Sequence, residues 1–157
     1  MLSNADIVRS GATTIPDLLR YVPGVHVGHV NGHASAVSVR GLSGSLSNKL
    51  LVMIDGRTVY TPLFAGTVWS KEDPPLEDIE RIEVIRGPGG SVWGANAFNG
   101  VINIITKSAR ETLGSYAQVR AGNEDKVAFE ARHGFKVAED SAVRLYGKLE
   151  RRDAARS

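Results

Sequence analysis

No cysteine occurs in the 157 residues, which removes disulfide-stapled folds and thiolate metal or redox sites at once, although it does not fix the compartment. No run of eighteen apolar residues occurs either, so no transmembrane helix is expected. Met1 to Ser10 lacks the basic start and apolar stretch of a signal peptide, and Ser3-Asn4-Ala5 reads as a lead or cloning-derived segment. Charge of one sign is also missing. The formal net charge is only +2 and the basic residues are scattered, so the pI near 9.0 does not mark a nucleic-acid binder. Catalytic spacing is absent too: Ser45, Asp55, His29 and Glu83 are linked by no pattern that joins a nucleophile to a base, and no enzyme is expected. His26, His29 and His33 do not make a metal site, because strand alternation points His26 and His29 to opposite faces and no carboxylate completes the set.

What is present is enough for one domain and a short appendage, with 42% hydrophobic residues. Ile15, Leu18, Leu19 and Val22 recur at helical spacing, with Pro16 and Asp17 in the first turn and Pro23-Gly24 as the stop. "VHVGHV" and "AVSVRG" alternate as strands around a turn at Asn31-Gly32, and "LLVMIDGRTVY" is a buried strand turning at Asp55-Gly56. Pro74-Pro75 opens a brief helix over Leu76 and Ile79, and Ile82 to Ile85 and Val101 to Ile105 add two strands. The fold class is α+β, a small domain with a mixed sheet and short helices.

After Lys107 the pattern changes. "YAQVRA", "VAFEARHG" and "AVRLYGKLE" alternate strictly, with Ala117, Val119, Val127, Phe129, Val143, Leu145 and Leu149 on one face, and Gln118, Arg120, Glu130, Arg132, Arg144, Lys148 and Glu150 on the other. Three such segments predict an antiparallel β-meander. In a water-soluble protein its apolar face packs on a core; in an outer-membrane barrel it faces lipid while the charged face lines the lumen.

The stretch "IEVIRGPGGSVWGANAFNGVINIITK" places Arg86 at a strand end before Gly87, Pro88, Gly89 and Gly90. It is not a phosphate loop, since no lysine followed by Ser or Thr closes it and no acidic residue stands at the dinucleotide-binding distance. The glycines serve the turn, and Trp93 and Phe98 are expected as small-core anchors.

The order "SGATTIPDLLRYVPGVHV", "VSVRG", "LLVMIDGRTVY", "PLEDIERIEVIRGPGGSVWGANAFNGVINIITK" resembles the plug domain of TonB-dependent outer-membrane receptors. The tail from Ser115 to Arg152 resembles the first strands of the receptor's barrel. The resemblance implies four segments: a lead over 1–9, a plug over 10–107, a linker over 108–114 and truncated barrel strands over 115–157. It further implies a barrel of about 22 strands around the plug, placement in the outer membrane with the plug in the lumen facing the periplasm, and energy delivered by TonB.

The nutrient implied is a ferric siderophore or similar small ligand such as cobalamin, with no resident cofactor and no nucleic acid. No TonB box is recognisable upstream of Asp6, so the chain is expected to be a receptor fragment. By the same resemblance Arg40 in "VRG" and Arg86 in "RGP" form a latch to glutamates on the barrel's inner wall, where a guanidinium can pair bidentately with a carboxylate. Loops facing the extracellular cavity supply the ligand-contact candidates His29, His33, Ser45, Asn48, Tyr60, Phe64 and Trp69. The alternative class is a free-standing periplasmic ligand-binding module, which would bury the apolar face of the meander against its own core.

Overall fold

The computed structural model describes residues 1–31, 34–39, 50–61, 66–87, 90–94, 97, 99–121 and 125–152. The chain divides into two compact units, Met1–Thr106 and Lys107–Ser157.

The first unit begins with regular elements in the residues expected to be a lead. β1 (Leu2–Ser3) pairs antiparallel with β8 (Ile79–Arg86), and α1 (Asn4–Ser10) follows directly. A capping box starts this helix: Ser3 Oγ accepts from the Asp6 N–H while the Asp6 carboxylate accepts from the Ser3 N–H. Gly11, with φ of 68°, ends it. Ile7 enters the main core, and Asn4 Nδ2 donates to the carbonyls of Glu77 and Ile79. The correction has a plain cause, since one buried isoleucine and a two-residue strand are too short a signal for periodicity to register.

α2 (Ile15–Leu19) bears out the expected helix. Thr14 caps its N-terminus, Pro16 occupies the first turn, and Gly24 turns the chain at φ of 78°. Ile15, Leu18, Leu19 and Val22 are all buried. β2 (Val25–Asn31) and β3 (Ala34–Val39) form an antiparallel pair in which Asn31 stands opposite Ala34, so the first strand runs through the residue expected to open the turn.

The central sheet has the order β1, β8, β9 (Gly100–Thr106), β4 (Leu50–Ile54), β5 (Arg57–Thr58). β4 and β9 are parallel and the other pairs are antiparallel, so the sheet is mixed. Leu50, Val52, Ile82, Ile102 and Ile104 join the main core with α1, α2, β2 and β3, whereas Leu51, Met53, Val101 and Ala97 make a second, smaller cluster. β4 and β5 meet at Asp55-Gly56, with φ of 49° and 78°. That is the left-handed pair a tight hairpin turn requires.

Two local expectations change. Pro74-Pro75 leads into a 3-10 turn over Leu76–Asp78, and Ile79 already belongs to β8, where it is fully buried opposite Thr106. Trp93, at the end of α3 (Gly90–Trp93), is 44% exposed and so is not a core anchor; Ala97 fills the second cluster instead. Phe98 lies outside the described residues. A short pair, β6 (Tyr60–Thr61) with β7 (Gly66–Thr67), precedes a 3-10 turn over Trp69–Lys71.

The second unit is the predicted meander: β10 (Gly114–Arg120), β11 (Asp125–Ala138) and β12 (Ser141–Arg152), each antiparallel to the next. The register stacks Val119, Phe129 and Leu149 in one row and Gln118, Glu130 and Lys148 in the next. Val119, Leu145 and Leu149 are exposed, while Glu130 on the opposite face is buried.

Candidate functional site

Arg86 is the last residue of β8, opposite Gly100. Its neighbours in alternate register, Ile82 and Val84, face the main core, so Arg86 continues that face past the core's edge. The side chain is exposed and lies across Gly24: a Cβ at residue 24 would sit 3.3 Å from Arg86 Nη1 and 3.7 Å from its Cδ. Gly24 therefore supplies both the turn and the floor on which the guanidinium rests. At the same point the Gly87 N–H donates to the Asn99 carbonyl at 3.4 Å, and a Cβ on Gly100 would meet the Ile85 carbonyl oxygen at 2.6 Å. Glycine at 100 is what lets the two strands close at the loop's root. Among the described residues Arg86 has no ion pair, so a cation is held on a glycine floor with its donors open. Arg40, the other latch candidate, lies outside the described residues.

The opposite face of the sheet carries a charge network that sequence reasoning missed. Arg81 Nε donates to Glu83 Oε1 at 2.8 Å, Arg81 Nη1 to Glu80 Oε1 at 2.6 Å, and Asn103 Nδ2 to Glu83 Oε2 at 3.3 Å. The hydrogen bond from Arg81, and after it that from Asn103, holds the Glu83 carboxyl below its ordinary range; the bond to Glu83 likewise raises Arg81. Glu83 and Asn103 stand opposite each other in the ladder, twenty residues apart in sequence, and only the strand register could have revealed them.

The ligand-contact candidates are scattered. His29 lies in β2 opposite Ser35, and Tyr60 in β6 opposite Thr67, so both belong to strands and not to the loops expected for them. Trp69 is 8% exposed within the main core, a packing role that replaces the loop contact expected of it. His33, Ser45, Asn48 and Phe64 lie outside the described residues. No group of three metal-ligating side chains occurs among the described residues.

In the second unit the polar face is paired both between strands and along them. Arg120 Nη2 lies 3.5 Å from the buried Glu130 Oε2, Lys148 Nζ lies 3.6 Å from Glu150 Oε2, and the Arg132 guanidinium stands over the Tyr116 ring. Charges placed this close on one face of a sheet offset one another.

Comparison with known proteins bears on the fold and the family. The family described as "TonB-dependent Receptor Plug Domain" matches residues 1–101. The vitamin B12 transporter BtuB of Vibrio vulnificus is 36% identical over 126 residues, which is 79% of this chain and 20% of the transporter. BtuB of Vibrio cholerae is 33% identical over 147 residues, 92% of this chain and 23% of the transporter. A variant of the ferric enterobactin receptor PfeA of Pseudomonas aeruginosa, solved with enterobactin, superposes with a TM-score of 0.66 at 25% identity, covering 97% of this chain and 24% of the receptor. The siderophore receptor PirA of the same organism shares the fold, with a TM-score of 0.65 at 23% identity, 97% of this chain and 28% of the receptor. The chain thus spans about a fifth of the length of the curated relatives it matches. These relatives are receptors and transporters, not enzymes, and from the match across Met1 to Val101 the chain belongs to the TonB-dependent receptor plug family.

Proposed function

We propose that this chain is the plug and leading barrel strands of an outer-membrane receptor that imports a scarce nutrient, a ferric siderophore, with energy supplied by TonB. One observation carries the barrel part of this reading: the meander exposes its apolar face and encloses its polar one. Val119, Val137, Leu145 and Leu149 are all more than 60% exposed, while Glu130 is 3% exposed. A free-standing periplasmic module would have the reverse arrangement.

The length of the apolar stripe is consistent with this. Val127 to Val137 covers ten residue steps of β11, or about 34 Å at a rise of about 3.4 Å per residue. At a strand tilt near 40° that is about 26 Å of height, close to the apolar band of about 25 Å on such barrels.

In this reading the plug takes in β1 and α1 and runs to residue 107, residues 115–157 begin the barrel, and the plug faces the periplasm from within the lumen. Arg86, with its open donors over Gly24, and Arg40 pair with carboxylates of the barrel wall. His29, His33, Ser45, Asn48, Tyr60 and Phe64 remain the nutrient-side candidates.

A second reading, cobalamin as the nutrient, is favoured by the identities of 36% and 33% to vitamin B12 transporters, which exceed those to the siderophore receptors. The test is uptake of radiolabelled ferric siderophores and of cobalamin by cells carrying the full-length receptor, with and without functional TonB. TonB-dependent accumulation of a ferric siderophore supports the first reading, and of cobalamin the second. Recovery of the protein in the periplasmic fraction after osmotic shock overturns both.

A further inference from the structure

The segment between the last plug strand and β10 has the composition of a linker, yet it is built into the second unit. Its own turn is closed by hydrogen bonds: the Ser108 N–H donates to Glu111 Oε2 at 2.8 Å, the Glu111 N–H to the Ser108 carbonyl at 3.1 Å, and Thr112 Oγ1 to the Ser108 carbonyl at 3.2 Å. The turn is then fastened from outside. Arg144, on the polar face of β12, donates from Nη1 to the Lys107 carbonyl at 3.0 Å and to Thr112 Oγ1 at 3.4 Å. Arg110 donates to the Asp140 carbonyl in the turn between β11 and β12.

Beneath the turn lies Gly134, which stands opposite both Gly114 and Arg144 in the ladder. A Cβ there would collide with the Thr112 carbonyl oxygen and lie 3.0 Å from its carbon. Thr112 itself is 3% exposed. The Gly134 backbone is outside the left-handed region, so the strand would accept alanine and only the close approach of Thr112 demands glycine.

We propose that Lys107–Thr112 is a clamped anchor with Arg144 and Gly134 as its positioning residues, fixing the point at which the chain leaves the plug to the polar face of the first barrel strands. The functional part rests on the receptor reading: a plug that rearranges during import would stay tethered at this end, and its movement would be confined to segments before Thr106. A guanidinium bound to a carbonyl and a hydroxyl of the same turn and a glycine that admits a carbonyl are both specific to a seated turn, and neither is needed by a loose connection.

The experiment is amide hydrogen exchange, read by mass spectrometry and NMR, on the 157-residue chain in mild detergent. In the unaltered chain the Ser108 and Glu111 amides are expected to exchange at least about tenfold more slowly than in a free peptide of residues 105–114. Gly134→Ala should remove that protection while the β8–β9 and β11–β12 amides keep theirs. Arg144→Ala should do the same without touching β11, and Arg144→Lys should restore part of it by returning a single cationic nitrogen on a shorter reach. Exchange of Ser108 and Glu111 at the free-peptide rate in the unaltered chain overturns the proposal, as does unchanged protection in both Gly134→Ala and Arg144→Ala. If Gly134→Ala melts the meander, Arg144→Ala decides alone. No nutrient or TonB enters this measurement, so failure of the anchor leaves the uptake experiment standing, and failure of the receptor reading leaves the exchange result standing.

Discussion

Leu18 in α2 is fully buried and Leu149 in β12 is 74% exposed, although each lies on the apolar side of a regular element. The same contrast runs through the charged residues. Arg86 of the first unit reaches outward, whereas Glu130 of the second is enclosed beside Arg120. One region has an interior of its own making, in which α1, α2 and both faces of a mixed sheet remove apolar surface from water. The other has two faces and no apolar interior, and its greasy side is turned to whatever solvent surrounds it. Alternation of apolar and polar residues specifies a strand in both cases. It does not specify which side is wet, because lipid inverts the rule that water imposes.

The sharpest way to break this comparison is to remove the same kind of group from each region. Ile102→Ala, at a fully buried position in the central strand, should cost about 2–5 kcal/mol of unfolding free energy. Leu149→Ala should stay within about 0.5 kcal/mol. Both tryptophans, Trp69 and Trp93, belong to the first unit, so their fluorescence in a denaturant titration reports on that unit alone. Meander stability is followed by amide exchange of β11. In the full receptor embedded in lipid the order changes for charge: Leu149→Arg should cost up to about 2–4 kcal/mol, depending on its depth in the bilayer. Tolerance of Leu149→Arg there would mean that this face does not meet lipid.

The plug sheet, helix α2 and the three meander strands were legible in the sequence because each rests on period and punctuation. Ile15, Leu18, Leu19 and Val22 repeat at helical spacing before Pro23-Gly24, and Asp55-Gly56 marks a turn that the backbone takes with two positive φ values. Of the proposed site, only the position of Arg86 at a strand end before a glycine run was legible. Contacts between residues far apart in sequence were not legible. Asn103 with Glu83, Gly24 under Arg86 and Thr112 over Gly134 depend on register and close approach, which composition does not encode. Trp69 and Trp93 exchanged roles for the same reason, since a tryptophan beside a glycine-rich loop looks alike whether it turns in or out. Gly134 did leave a trace, being a glycine inside a strand pattern, which marks close approach of another backbone.

A smaller effect is expected where the first unit ends. The Asp55 carboxylate accepts from the Thr106 N–H and from Thr106 Oγ1, each at 2.8 Å, and the Asp55 N–H donates to the Ile104 carbonyl at 2.9 Å. These bonds carry the β4–β9 ladder around the turn to the last residue of the unit. Asp55→Ala should lose about 1–2 kcal/mol, from two hydrogen bonds to a charged group at an exposed site together with a non-glycine residue held at positive φ. Asp55→Gly relieves the backbone and loses only the carboxylate, so it should fall between Asp55→Ala and the unaltered chain in denaturant midpoint. If Asp55→Gly is the less stable of the two, the positive φ is not a source of strain.

Acid should also separate the regions. Glu83 is held below its ordinary value of 4.5, first by Arg81 and then by Asn103. A depressed carboxyl stabilises the fold at pH above the unfolded value, and that contribution is lost as pH falls through the folded value. The tryptophan-reported midpoint should therefore decline as pH drops below 4.5, and Glu83→Gln should flatten the decline. An identical decline in Glu83→Gln would assign the acid sensitivity to other carboxylates, Asp6 in the capping box first among them, since its carboxyl is lowered by Ser3.

The smallest change is expected at the residue with the clearest functional reading. Arg86 is exposed, has no ion pair among the described residues and lies across Gly24. Arg86→Ala should shift the stability of this chain by no more than about 0.5 kcal/mol, as surface substitutions ordinarily do. On the proposed latch, the same change in the full receptor, with Arg40→Ala beside it, leaves carboxylates of the barrel wall buried without partners. Breaking such a pair typically costs about 3–5 kcal/mol, so protease should cut the plug more readily there while the isolated chain is unaffected. A loss of several kcal/mol in the isolated chain would show instead that Arg86 braces the turn at Gly24. The open donors over a glycine floor would then be part of the plug's own packing, and the contrast between an arginine turned outward and a glutamate turned inward would have a structural cause in both units.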